Sequence, residues 1–295
     1  MPSTATAPSG QLLQTFHYGR ALPVGLNVFG GLLLALAAFV GYLQTIVPNN
    51  TPGPITVHTS RGLDLTFSSQ AAMFQATCAL LVILGVGMFG LGRWQKTLRT
   101  ARYEVYEKGI TQVVGQQREY IPYTEINDLY LFSSGQTVLT GLPTNLAYRR
   151  DASEPFIRVN AHLAGFEAFQ QLVRERYLEA RMPVALDTLE AGGALTFNYV
   201  GTGQVWRKRI SGNFLKVSTQ TMVVSRDALQ VQGRWVSIDS LRSVDLNSWS
   251  ENVVIRDEAG KTVLATVATG IMSHDLFLTL LRALINCRQA QAAVA

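Results

Sequence analysis

The segments EYIPYTEINDLYL, residues 119–131, and RWVSIDSLRSVDL, residues 234–246, carry one pattern twice. At an offset of 115, Ile121, Tyr123, Ile126, Leu129 and Leu131 align with Val236, Ile238, Leu241, Val244 and Leu246. In each, an apolar strand end passes through a polar turn into the next strand. The parallel extends outward. Upstream, Val105-x-x-x-Gly109-Ile110 matches Val224-x-x-x-Ala228-Leu229. Downstream, each copy has an apolar strand and then an amphipathic helix. In the first copy these are PFIRVNA (155–161) and LAGFEAFQQLVRERYLEA (163–180). In the second they are KTVLATVA (261–268) and a helix over 274–287. That helix has Leu276, Phe277, Leu280, Leu281, Leu284 and Ile285 as an apolar stripe. Ser273 stands at its N-cap position. The repeat predicts two copies of one small unit, several short antiparallel strands closed by a C-terminal helix. The expected boundaries are 100–182 and 194–288. A linker, 183–193, is punctuated by Pro183 and Gly192-Gly193, with PVALDTLEA as a short helix. Residues 1–18 read as a disordered or amphipathic start and 289–295 as a frayed tail.

Residues 19–99 have a different character. Residues 21–47 hold no charge, and neither do residues 71–92. A helix needs about 20 apolar residues to cross the hydrocarbon core, so both predict membrane spans. A buried soluble helix would be shorter. A signal peptide would have a basic start and a shorter apolar centre; this region is preceded by Arg20 and continues well past Ala35-Leu36-Ala37. Arg93, Lys96, Arg99 and Arg102 follow the second span closely, and the loop 48–70 has only Arg61 and Asp64 as charges. By the positive-inside rule both termini are cytoplasmic and the loop is external. Trp94 suits the membrane interface. The four cations serve either as a topology signal or as contacts for anionic headgroups.

The external loop alternates at Ile55, Val57, Leu63, Leu65 and Phe67 around Ser60-Arg61-Gly62, the pattern of a short hairpin. Within the first span, Gly31 and Ala35, and Ala37 and Gly41, are four apart. Small residues at that spacing let helices approach closely. The spans packing on each other or a homodimer explains them equally.

The strand-and-helix pattern of 103–129 and 222–285 resembles the pleckstrin-homology (PH) superfold. More narrowly, it resembles bacterial membrane proteins with PH-like domains, in which YEVYEKGI-like and IPYTEI-like segments follow transmembrane helices. The resemblance implies a binding or scaffolding module and transfers no ligand. It gives an α+β fold class: two N-terminal transmembrane helices, then two tandem PH-like β-sandwich or barrel domains, each capped by a C-terminal helix. It implies location in a bacterial inner membrane. A basic cluster at Arg207, Lys208 and Arg209, beside Trp206, is a candidate contact for an anionic lipid or a partner; a solvated strand edge is the competing reading.

Little in the chain carries chemistry. Gly260-Lys261-Thr262 lacks the upstream glycine of a phosphate-binding loop. His17, His58, His162 and His274 have no metal-ligand spacing. Cys78 and Cys287 are far apart and make no C-x-x-C pair. Neither span holds an ionisable residue, which argues against an ion pathway. A net charge of +5 is modest for a nucleic-acid binder. The expectation is a non-enzymatic membrane protein with no cofactor, no metal and no nucleic-acid partner. Its cytoplasmic part would bind a protein partner or anionic lipid. The alternatives are action through the external loop, such as an immunity protein against a toxin, or a subunit role in a larger membrane complex. A fragment 100–295 is expected to fold by itself.

Overall fold

The computed structural model describes residues 7–48, 53–58, 64–98, 100–132, 144–201, 219–247, 252–267 and 270–294. The chain is mixed α+β and forms two compact units. Residues 18–101 make one; residues 1–17 with 102–295 make the other.

The smaller unit is a helical hairpin. Helix α1 spans Ala21–Ile46 and α2 spans Gln70–Leu98. Both are long and apolar enough to cross a membrane. They pack antiparallel through small residues spaced by sevens. The buried residues of α1 are Pro23, Gly30 and Ala37. Opposite them, a Cβ on Gly92 would meet the Asn27 carbonyl and the Pro23 backbone oxygen, and one on Gly85 would lie 3.1 Å from the Gly30 oxygen. At the third level the Cys78 thiol donates to the Ala37 carbonyl at 3.4 Å. The sequence pointed to Gly31/Ala35 and Ala37/Gly41. Ala37 and Gly41 do face α2, but Gly31 has nothing within 4 Å of a built Cβ and Ala35 is exposed. The seam has a period of seven, so it selects Gly30 over its neighbour.

Between the helices, β2 (Ile55–His58) and β3 (Asp64–Phe67) pair antiparallel, as the alternation predicts. Ile55 faces Phe67 and Val57 faces Leu65. The other face has Thr56 bonded to Thr66 and His58 to Asp64. Leu63 lies outside the described residues.

The larger unit begins before the helices. Strand β1, Leu12–His17, pairs with β4, Ala101–Tyr106, although α1 and α2 separate them in sequence. A four-stranded sheet follows in the order β1-β4-β5-β6, with β5 at Gly109–Val114 and β6 at Gln117–Pro122. A 3₁₀ turn at Tyr123–Glu125 leads to a three-stranded sheet: β7 (Asp128–Phe132), β8 (Asn145–Arg149) and β9 (Ile157–Asn160). Helix α3, Phe166–Glu190, closes this copy. The second copy repeats the plan. Strands β10 (Ala194–Tyr199), β11 (Gln220–Ser225), β12 (Ala228–Val231) and β13 (Arg234–Ser237) form a four-stranded sheet. A 3₁₀ turn at Ile238–Ser240 leads to β14 (Leu241–Asn247), β15 (Asn252–Asp257) and β16 (Thr262–Val267), then to helix α4, His274–Val294. The two 3₁₀ turns stand at the offset of 115 read from the sequence. Each copy is four strands, three strands and a helix, and an edge-on phenylalanine pair ties the first strand to the helix. Phe16 meets Phe169, and Phe197 meets Phe277, both with ring centroids 5.2 Å apart.

Three sequence boundaries are corrected. Residues 12–17 are a strand rather than a disordered start. Residues 183–190 continue α3 rather than forming a linker. Pro183 lacks an N–H, but it sits on the exposed side of the helix, where the carbonyl it frees can meet water. Only Ala191–Gly193 turn the chain. The C-terminal tail continues α4 to Val294.

The first copy is incomplete without β1, which supplies the buried Phe16, 2% exposed, and covers the edge of β4. The fragment 100–295 therefore lacks a core strand. It is expected to aggregate. Residues 7–17 joined to 102–295 by a two- to four-residue turn should fold, because His17 and Arg102 are cross-strand neighbours. Circular dichroism and size-exclusion chromatography of the two soluble forms check this. A monomeric, cooperatively melting 100–295 fragment would contradict it.

Candidate functional site

The two repeats share a seam, and Ser273 sits at its centre. Ser273 is 2% exposed and holds a positive φ of 54°. It occupies the N-cap position read from the sequence, directly before α4, and its carbonyl accepts the Phe277 N–H at 3.0 Å. Its hydroxyl turns to the other copy: it accepts from the Leu129 N–H at 3.1 Å and from the Tyr177 hydroxyl at 2.7 Å, and donates to the Asn127 carbonyl at 2.9 Å. Its own N–H donates to the Leu129 carbonyl at 2.7 Å. Around it, Arg174 of α3 grips Asp275 of α4 through Nε and Nη2, at 2.6 and 2.8 Å. Asn198 of β10 donates to Asp128, which also takes Arg149 at 2.7 Å. Tyr130, Phe132 and Ala147 of the first copy pack with Val200, Val267 and Met272 of the second. This explains why every residue of β7 and β8 is buried: their sheet is covered on both faces.

The predicted cations divide into three groups. Arg93, Trp94 and Lys96 are exposed on the last turns of α2, with Trp94 at 57%. Arg99, Arg207, Lys208 and Arg209 lie outside the described residues. Arg102 is not a free cation. Its Nη2 donates to Glu104 Oε1 at 2.6 Å. Glu104 is nearly buried and also takes Arg118 and the Tyr106 hydroxyl through Oε2, the latter at 3.0 Å. Burial first, then the hydrogen bond and charge of Glu104, push the Tyr106 phenol up. Sequence reasoning missed Glu104 and Arg118. The only signal was alternation: Arg102, Glu104 and Tyr106 share one face of a strand.

Two clefts lie beside the 3₁₀ turns, at matching places in the copies. The one in the second copy is about 630 Å³, with a floor of Ile238, Leu241 and Ile285 and a rim of Asp239, Glu258 and Arg288. Arg288 is paired to Asp227 and Asp239. The one in the first copy is about 490 Å³ and is bordered by Lys108, Tyr120, Thr124, Arg176 and Glu179. Among the described residues no group of three or more His, Cys, Asp and Glu is placed to hold a metal ion.

No family model matches the chain, and no curated protein matches it in sequence.

The seam has an acid-sensitive member. Burial alone would raise the Asp275 carboxyl, but hydrogen bonds and charge from His274 and Arg174 outweigh it and hold it well below the usual carboxylate range. A depressed folded value means the contribution is complete above the unfolded value of 3.8 and is lost as pH falls through the folded one. Asp275→Asn should cost about 1–2 kcal/mol at pH 7, the range of a partly exposed charged hydrogen bond. The gap from wild type should begin to narrow below about pH 4 and keep shrinking as the pH falls further. Thermal unfolding of the detergent-solubilised protein across pH reads both. Tyr177→Phe, which removes one donor to Ser273, should cost about 1 kcal/mol at every pH in that range.

Proposed function

We propose that this protein is a membrane-anchored, non-enzymatic binding and scaffolding protein. Its two helices span a bacterial inner membrane, and its fused PH-like repeats work on the cytoplasmic side, against a protein partner or the anionic leaflet. One observation carries the reading: the strand that precedes α1 is paired with the strand that follows α2. The chain therefore leaves the repeat unit for the helices and returns to it at neighbouring positions. A hairpin of two spans satisfies that connection, because it ends on the side where it began. The repeated plan of four strands, three strands and a helix supports the PH-like assignment. The exposed Arg93, Lys96 and Trp94 support a cytoplasmic, headgroup-facing end for α2.

A second reading rests on the hairpin of β2 and β3. Val57 and Leu65 form a cross-strand pair and are exposed at 39% and 47%. An apolar face on a lone two-stranded ribbon needs cover. An external partner, such as a toxin met by an immunity protein, would supply it. Membership in a larger membrane complex, or a homodimer, is the third arrangement this surface fits.

Topology is the first test. Alkaline phosphatase, which is active only outside the cytoplasm, is inserted between residues 58 and 64 in one strain. Green fluorescent protein, fluorescent when fused inside, follows residue 295 in another. Activity of the first together with fluorescence of the second is expected. The reverse pattern, or release of the protein by alkaline carbonate, would overturn the proposal. Deleting 53–68 without a cellular phenotype would remove the second reading.

A further inference from the structure

We propose that Arg102 and Arg118, held in place by Glu104, form a binding site for the phosphodiester of an anionic lipid headgroup. The inference rests on the membrane reading above and adds a site to it. In the meander β1-β4-β5-β6, the link from β1 to β4 and the turn from β5 to β6 lie at one end of the sheet. Arg102 is at that end because it pairs with His17, the last residue of β1. Arg118 is at that end because it pairs with Val113, one step from the turn at Gly115-Gln116. Both arginines therefore flank the edge from which the chain departs for α1 and to which it returns from α2.

The charges are arranged as a platform. The Glu104 side chain is 7% exposed, while the arginine side chains are 48% and 53% exposed. Glu104 Oε1 takes Arg102, and Oε2 takes Arg118 and the Tyr106 hydroxyl. Below lies a packed floor, with Thr111 and Val113 buried on β5. The cluster sums to one positive charge. The two arginines pair a carboxylate that is nearly buried, yet each leaves about half of its own side chain open to solvent. Each guanidinium carries five N–H donors in a planar fork suited to phosphate oxygens, and each gives one nitrogen to Glu104. The arginine side chains, about half exposed, are tethered by the buried carboxylate and keep further donors available. A phosphate bridging the two would neutralise the site.

The test uses the full chain in maltoside micelles. Fluorescently labelled phosphatidylglycerol and phosphatidylcholine are titrated and read by anisotropy. Wild type is expected to prefer phosphatidylglycerol. Arg118→Gln should weaken that lipid about fivefold and Arg102→Gln/Arg118→Gln further, each cation contributing near the surface, with phosphatidylcholine binding unmoved. Arg282→Gln, an exposed arginine on α4, should change nothing. Arg118→Lys keeps a cation for Glu104 and guards against a folding defect; it should bind more tightly than the glutamine variant. Equal affinity of wild type and the double variant would sink the site. Displacement of the lipid by millimolar inorganic phosphate would assign it to free phosphate and overturn the lipid proposal. Retention in membranes after an alkaline carbonate wash is scored separately, so loss of the site and loss of the anchor are told apart.

Discussion

The pairing of β1 with β4 is the constraint on which the larger unit depends. It closes the first sheet, buries Phe16 against Phe169, and makes residues on either side of an 84-residue insertion cross-strand neighbours. Without it the first copy has six strands to the second copy's seven, and β4 is an unprotected edge. The second copy has the corresponding pair of strands. There β10 and β11 are linked by residues 200–219, where the first copy carries both helices. The helical hairpin is thus an insertion into one connection of a repeated fold.

The seam makes the two copies one body. Most of its ties are directional hydrogen bonds, which fix geometry more than they add stability. Ser273 shows this most clearly: a small side chain in a left-handed conformation satisfies the start of β7 and the Tyr177 hydroxyl of α3, both from the other copy. The apolar cluster of Tyr130, Phe132, Val200, Val267 and Met272 supplies the non-directional part.

Much of this was legible, and the misses share a cause. The apolar runs, the β2–β3 hairpin and the 115-residue offset are local or self-similar signals, and each corresponds to an element of the structure. Residues 12–17 gave no such signal, because LLQTFH becomes a strand only through a partner on the far side of α1 and α2. The linker misreading came from Pro183, whose effect depends on which helix face it occupies. Fusion of the copies was visible in composition: DLYLF at β7 is apolar on both faces, whereas LRSVDLN at β14 alternates. A strand that needs two covers announces a second layer. The Glu104 platform was hidden for a different reason. Arg118 reaches it across β5, a juxtaposition set by sheet register.

The order of β1, α1, α2 and β4 along the chain also governs events during synthesis. β1 leaves the ribosome first and cannot be paired until 84 further residues have been made, roughly 4–17 s at common elongation rates. Both apolar helices are complete before the sheet that frames them can exist. The first repeat therefore cannot close until both helices have been made, and a chain halted between them carries β1 without its partner strand.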